Sequence, residues 1–471
     1  MDELSPQKNT PIKTTRTPLT PPDILKGTIW KSLIKLSLPI VLAHFFQTLY
    51  SIADAFWLGK VGKTALAAPT ITFNVIFIII AIASGLSIGG TTLLAQYKGA
   101  GKEKKVNETA TNTFAMIGLI SIFLGVIGYL FSPQLLRLLQ TPSDAFPETL
   151  NYMRIMFIGI PFMFGFFIYR GLMQGYGDTI SPMKVIAFTV ILNAILDPLM
   201  IFGWGPFPKM GVAGAGIATV FSHFIASVIG FLYMVSGRYG LKMSFKSFRF
   251  DGTIIKSILK IGMPVAFSQT GTSLGFTLLM GIVNTFGTSV VGAFGIGNRI
   301  ISLLVMPSMG LAQGSSTIVA QNIGADQVDR AERSVWIAVW INTVFTFVFT
   351  TLLTFYGGSV VRFFINDPEV IEIGHRMFKI ISYSVLFFSV MMVFTGAFQG
   401  SGHTVPVFIM QMVRLWGLRI PCVLLLSKFL QYGDNGIFWG MTISNFVITV
   451  IALIWFKSGT WKKKVIKTSM Y

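Results

Sequence analysis

The chain has 471 residues, of which 53% are hydrophobic and only 12% charged. A soluble protein carries about 25% charged residues, so too little polar surface is present to cover a water-soluble globule, and the chain reads as an all-α polytopic membrane protein solvated by lipid. The formal charge of +19 comes from basic residues in short segments between apolar runs, not from one basic face; this argues against a nucleic-acid partner and for the positive-inside pattern.

Residues 1–28 are rich in Pro, Thr and Lys and lack the apolar core of a signal peptide. They are expected to form a disordered cytoplasmic tail. Twelve apolar runs then follow, at 33–56, 67–96, 111–132, 150–175, 184–203, 212–236, 258–284, 289–320, 334–356, 375–399, 406–427 and 436–457. Each is long enough to span the hydrocarbon layer, which takes about 20 residues. The loop after span 2 carries Lys98, Lys102, Lys104 and Lys105, and the loop after span 6 carries Arg238, Lys242, Lys246, Arg249 and Lys256. The C-terminal end carries Lys457, Lys462, Lys463, Lys464 and Lys467, whereas the opposite loops are short or mixed. Both termini are therefore expected in the cytoplasm, with the protein in the cell (inner) membrane. The lone cysteine, Cys422, lies in an apolar run and can form no intrachain disulfide.

The chain repeats itself. Lys31, Ser32, Lys35 and Pro39 recur as Lys256, Ser257, Lys260 and Pro264, a shift of 225 residues. At that shift Gly85, Ala95, Gln96, Gly99 and Ala100 match Gly310, Ala320, Gln321, Gly324 and Ala325, and Gly171, Gln174, Gly175, Gly177 and Thr179 match Gly396, Gln399, Gly400, Gly402 and Thr404. Six spans per repeat is an even number, so both halves enter the membrane from the same side, the parallel type of transporter repeat. The expected layout is an N-lobe at 29–238, an inter-lobe linker at 239–257, a C-lobe at 258–458 and a basic tail at 459–471. Two such lobes rocking against each other give alternating access to a central cavity.

Of the 18 acidic residues, only Asp54 and Asp197 fall within spans. A charged group there costs roughly 2.5 kcal/mol or more and is a functional candidate by default; it can take up a proton or hold a cation. An Asp facing a watery vestibule with no role is the alternative. Gln47, Tyr50 and Asp54 fall on one face of the first span, and Asn193 and Asp197 share a face of the fifth. Pro198 cannot donate to the Ala194 carbonyl, leaving it free. These hard oxygen donors suit Na⁺ or a hydrated proton and do not suit zinc or copper. Thr219 is a candidate further hydroxyl, or simply a small residue at a helix contact. Pro39 is a candidate hinge, expected to kink the first helix, although its mate Pro264 points to a scaffold role. Arg414 and Arg419 either face a second-lobe cavity and bind an anionic group or pair with helix-end carbonyls. No GxxxxGK[ST] is present, which argues against ATP-driven transport. No nucleophile–base or metal cluster is visible, so the chain is not read as an enzyme.

The run from Pro39 to Gly59 (PIVLAHFFQTLYSIADAFWLG), the SGLSIGGTTLLAQYKGAG block and the GLMQGYGDTISPMKVIAFTVILNAILDP block resemble the multidrug and toxic compound extrusion (MATE) family, over essentially the whole chain beyond residue 28. The resemblance implies a V-shaped pair of six-helix lobes and a cation-coupled (H⁺ or Na⁺) multidrug antiporter that exports organic cations and drugs, without other cofactors, as a monomer among membrane lipids. By motif match Asp54, Asn193, Asp197 and Thr219 would form the ion site, with a possible Na⁺ at Asp54, Asn193 and Asp197, and Gln47 and Tyr50 would line the substrate cavity. No acidic residue lies in the C-lobe spans, so the chain looks closer to the branch of DNA-damage-inducible F proteins and archaeal members. A lipid-linked precursor flippase is the alternative; it calls for a cationic cavity, which the acidic first-lobe site disfavours and the two arginines allow. A major-facilitator carrier lacks support, because Lys98-Gly-Ala-Gly-Lys stands where that class has its Asp-Arg-x-Gly-Arg-Arg type loop.

Overall fold

The computed structural model describes residues 24–237, 240–245 and 248–466. Residues 1–23 of the expected tail, the basic residues Arg238 and Lys246, and the end of the basic tail lie outside them. The described chain is a set of helices without β-strands: α1 (Ile29–Val61), α2 (Lys63–Gly99), α3 (Glu103–Leu138), α4 (Phe146–Tyr176), α5 (Ile180–Phe202), α6 (Val212–Ser236), α7 (Gly252–Asn284), α8 (Thr288–Gly324), α9 (Val328–Phe364), α10 (Pro368–Ser401), α11 (Thr404–Phe429) and α12 (Asp434–Lys457). All but α7 are long and apolar enough by themselves to cross a membrane; the polar stretch Ser268–Ser273 dilutes the middle of α7.

The helices outrun their apolar spans, because hydropathy registers only the part in hydrocarbon while the backbone ladder continues to the next cap. Asp251 ends the loop before α7 by accepting from the N–H groups of Thr253 (2.9 Å) and Ile254 (3.3 Å), so the helix begins within the stretch expected as linker. Gly177 (φ 109°) and Gly402 (φ 83°) end α4 and α10 in the left-handed region at equivalent repeat positions, where a side chain would be strained. The described residues next to both ends pack against the lobes. Ile24 is buried and Arg330 donates to the Ile24 and Gly27 carbonyls, so the folded chain begins before residue 28. Trp461 is fully buried against Phe456, and the Val465 N–H donates to Gln96 Oε1, which docks the start of the basic tail.

Sequence chemistry decides which face meets lipid. On α3, Leu119, Phe123, Val126 and Leu130 are exposed along one stripe, while Thr113, Ser121, Gly125, Gly128 and Ser132 are buried. Large apolar side chains therefore point out and small ones in, since lipid solvates Leu and Phe and close helix approach needs small residues.

Helices α1–α6 and α7–α12 form two lobes. The lobes meet through α2 with α7, α1 with α8, and α2 with α8. A Cβ on Gly85 would strike Gly262, one on Gly99 the Gln321 carbonyl, and one on Gly324 the Gln96 carbonyl. Gln96 Nε2 donates to the carbonyls of Gly400 (3.3 Å) and Ser401 (3.0 Å), and Gln321 Nε2 to those of Gly175 (2.9 Å) and Tyr176 (3.3 Å). These are mates in the repeat, so the lobes lock together symmetrically at the end that carries Lys98 and Asp326.

Candidate functional site: a buried carboxylate pair beside basic cavities

Helix α5 packs against both α1 and α6, which carry the candidate ion-site residues toward one another. Asn193 and Asp197 are fully buried and Thr219 is 5% exposed. The Asn193 Nδ2 amide donates to Asp197 Oδ1 at 3.1 Å. The Asp54 carboxyl, from α1, meets that of Asp197. Tyr50 lies in the field of both carboxyls with its hydroxyl beside Thr219, and its ring centroid is 6.3 Å from that of His223.

The cluster is under-satisfied. Asp54 Oδ1, Asp197 Oδ2, Asn193 Oδ1 and the Tyr50 hydroxyl are buried without a hydrogen-bond partner. Among the described residues every Lys and Arg ion pair involves other acids, so neither carboxylate has a basic partner. Buried unpaired charge is expensive, and two carboxyls side by side cannot both stay ionised without a proton or cation between them. The donor set is oxygen only, which fits H⁺ or Na⁺.

The other predicted residues separate. Gln47 is exposed on α1 and lines a cavity of about 400 Å³ shared with the C-lobe. Tyr50, a candidate for the substrate cavity, sits beside the carboxyls. Pro39 is buried within an unbroken α1, and Gly310 and Gly314 of α8 pack around Ser37 and Val41 beside it. Asp54 and Asp197 line neither the 400 Å³ cavity nor its neighbour of about 340 Å³. His44 lines both, with Nε2 3.0 Å from Gln313 Nε2 of the other lobe.

The second cavity is walled by Arg170 and by Gln174, Gln269, Gln313, Gln399 and Gln411. Gln174 Nε2 reaches across the lobes to the Gln313 carbonyl at 3.3 Å, and Gln269 Nε2 to Ser84 Oγ at 3.1 Å. Sequence reasoning noted Gln96, Gln174, Gln321 and Gln399 only as repeat markers. The signal that could have singled them out is the one used for Asp54: a strongly polar side chain in a span needs a partner.

The repeat is also visible to comparison. The MatE family model matches residues 39–199 and again 264–425. The chain belongs to the MatE family. A MatE relative, the probable multidrug resistance protein YoeA of Bacillus subtilis (strain 168), is 26% identical over 97% of this chain and 99% of its own length. A FAD transporter of Shewanella oneidensis is 27% identical over 91% and 94% respectively. The solved outward-facing conformation of a multidrug resistance MATE family transporter superposes with a TM-score of 0.87 at 22% identity, covering 94% of this chain and 98% of that one. The MatE chain described here is thus a two-lobe, multi-pass membrane transporter and not an enzyme.

Proposed function

We propose that this protein is a cation-coupled multidrug antiporter, exporting organic cations and drugs by alternating access against entry of H⁺ or Na⁺. The observation that carries this reading is the Asp54–Asp197 pair: a fully buried Asp197 facing a half-buried Asp54, each with a buried oxygen that lacks a partner, and no basic neighbour. Binding a proton or Na⁺ there neutralises the pair. The bound ion then shifts the balance between lobe arrangements only by its difference in affinity for the two. Because the carboxyls lie off the cavities, coupling runs through the shape of α1 and α5, with Pro39 as the hinge of α1, and not through a shared ligand.

The basic loops support a cytoplasmic side for the locked end, with Lys98 and the docked tail. The arrangement is then closed inward, with its substrate path open to the outside of the cell membrane. The branch assignment rests on the absence of acids in the C-lobe spans.

The test uses proteoliposomes. Efflux of a fluorescent drug is followed under a proton gradient alone and then a sodium gradient alone. Transport under one of them, lost in Asp54→Asn and Asp197→Asn variants that still purify as folded protein, is the expected result. Normal coupled export by both variants would reject the ion site.

A further inference from the structure

The two lobes repeat one helix order but differ in charge at the positions equivalent to the carboxylate cluster. At the 225-residue shift, the C-lobe mates of Tyr50, Asp54, Asn193, Asp197 and Thr219 are Gly275, Leu279, Leu418, Cys422 and Ser444. Every acid is gone. In their place α11 carries Arg414 and Arg419, whose mates on α5 are Thr189 and Ala194.

The local winding of α11 makes these two arginines a pair. They are five residues apart, which on an α-helix sets them about 140° from each other. The segment Val413–Arg419 is π-helical, and in that winding residues i and i+5 are joined by the backbone ladder and stack one turn apart. Both arginines line the same 400 Å³ cavity. Both residues are more than nine-tenths buried, at 5% and 6% exposure. Their partners are neutral: Arg414 Nε and Nη2 donate to Gln411 Oε1 (3.1 and 2.9 Å), and Arg419 donates to Ser444 Oγ (3.1 Å) and Asn445 Oδ1 (2.6 Å). The Arg414 guanidinium also lies 4.7 Å from the Phe388 ring centroid. A guanidinium has five N–H donors, so each keeps donors that these bonds do not use.

No carboxylate lines this cavity or the adjoining one, where Arg170 adds a third guanidinium. Phe276, Phe388, Met306, Met309 and Met441 give the 400 Å³ wall a soft apolar part, beside neutral polar side chains such as Gln47, Asn298 and Ser302. Its size falls in the ordinary range for small-molecule sites. An unpaired guanidinium in a membrane protein is costly unless something negative answers it, and planar bidentate recognition of carboxylate or phosphate is what arginine does best. We infer that the C-lobe cavity is a substrate subsite for an amphipathic organic anion, with Arg414 and Arg419 holding its carboxylate or phosphate and the Phe/Met wall holding its apolar body. This rests on the reading of the central cavities as the drug path, and it names the substrate class that path selects at this depth: an anion or the anionic end of a zwitterion. Anion and coupling cation then occupy opposite lobes and do not compete.

The test is equilibrium binding of a matched probe pair to the full-length protein in phosphatidylcholine nanodiscs. The probes are 1-pyrenebutyrate and 4-(1-pyrenyl)butyltrimethylammonium, and the readout is tryptophan-to-pyrene energy transfer. Expected is saturable binding of the anion that the cation does not displace, weakened about tenfold or more by Arg414→Gln or Arg419→Gln, the scale of a lost charge-assisted bond. Because those variants could misfold, Ser302→Asp serves as a second probe. Ser302 is exposed to the same cavity, and the change adds a negative charge without removing an arginine contact; it too is expected to weaken the anion. No anion binding, tighter cation binding, or anion affinity unchanged in all three variants would overturn the inference. Displacement of 1-pyrenebutyrate by phosphatidylglycerol in the disc, lost in Arg414→Gln, would make a lipid headgroup the occupant and overturn the soluble-anion assignment. Neither probe needs an ion gradient. Failure here with coupled export still abolished by Asp54→Asn would remove the anion subsite alone, whereas intact anion binding with normal export by Asp54→Asn would remove the ion site alone.

Discussion

Gln96 and Gln321 are mates in the repeat, and each donates to two backbone carbonyls of the opposite lobe. A net hydrogen bond is worth about 1 kcal/mol, so each amide holds the closed end by about 2 kcal/mol. Gln96→Ala or Gln321→Ala should shift the population toward opening at this end, and the double variant more than either. Spin labels at Gly101 and Asp326, read by double electron–electron resonance, should show a longer, broader distance distribution. An unchanged distribution in the double variant would show that the amides do not set the equilibrium.

The backbones also touch at this end. Gly324→Ala puts a methyl group against the Gln96 carbonyl, and Gly99→Ala does the same against that of Gln321. Backbone cannot yield as a flexible side chain does, so each change should cost about 1–3 kcal/mol. The expected result is a lower thermal unfolding midpoint and slower transport, with an alanine at the exposed, unobstructed helical Gly281 as the comparison.

Asn193 is a positioning residue for Asp197. Asn193→Ala removes the amide donor at 3.1 Å and one of the unpartnered oxygens. A hydrogen bond to a charged group is worth about 1.5–3 kcal/mol, so coupled export should slow about tenfold or more while 1-pyrenebutyrate binding at the C-lobe cavity holds. Loss of both together would instead point to a general packing role.

Asp251 lies outside the spans, and its ionisation is coupled to folding. Burial alone pulls its carboxyl upward, but the N–H groups of Ile254 and Thr253 and the nearby Lys105 outweigh that and hold it below the usual carboxylate range. A lowered folded value contributes stability above the unfolded value of about 3.9, lost as pH falls through the folded value. Asp251→Ala should therefore cost about 1 kcal/mol near neutral pH, the ordinary worth of a helix cap. The gap in unfolding midpoint between the two proteins should shrink as the solution is acidified. A gap independent of pH would show that charge at the cap is immaterial.

Much of this molecule follows from local chemistry that needs no fold. The twelve helices, the duplication and the isolation of Asp54 and Asp197 as the acids within spans come from apolar run length, a constant shift and the cost of charge in hydrocarbon. Those quantities are properties of short segments or of pairs at fixed spacing. The sharing of a face by Asn193 and Asp197 was equally legible, because α winding is the default and i, i+4 stack in it.

What lay beyond the sequence was set by neighbours distant along the chain or by departures from that default winding. Tyr50 is three residues from Gln47 on one helix, yet the packing of α5 and α6 draws Tyr50 to the carboxyls while Gln47 faces the cavity. Arg414 and Arg419 left two readings open in the sequence, a shared cavity or helix-end carbonyls, and the π-helical turn between them is what lets both line one cavity. Gln96 and Gln321 read as repeat markers until α2 and α8 cross with glycines at the contact. In each case the deciding term is a tertiary contact or a backbone adjustment that the packed lobes stabilise, and neither is encoded in the run of residues that surrounds it.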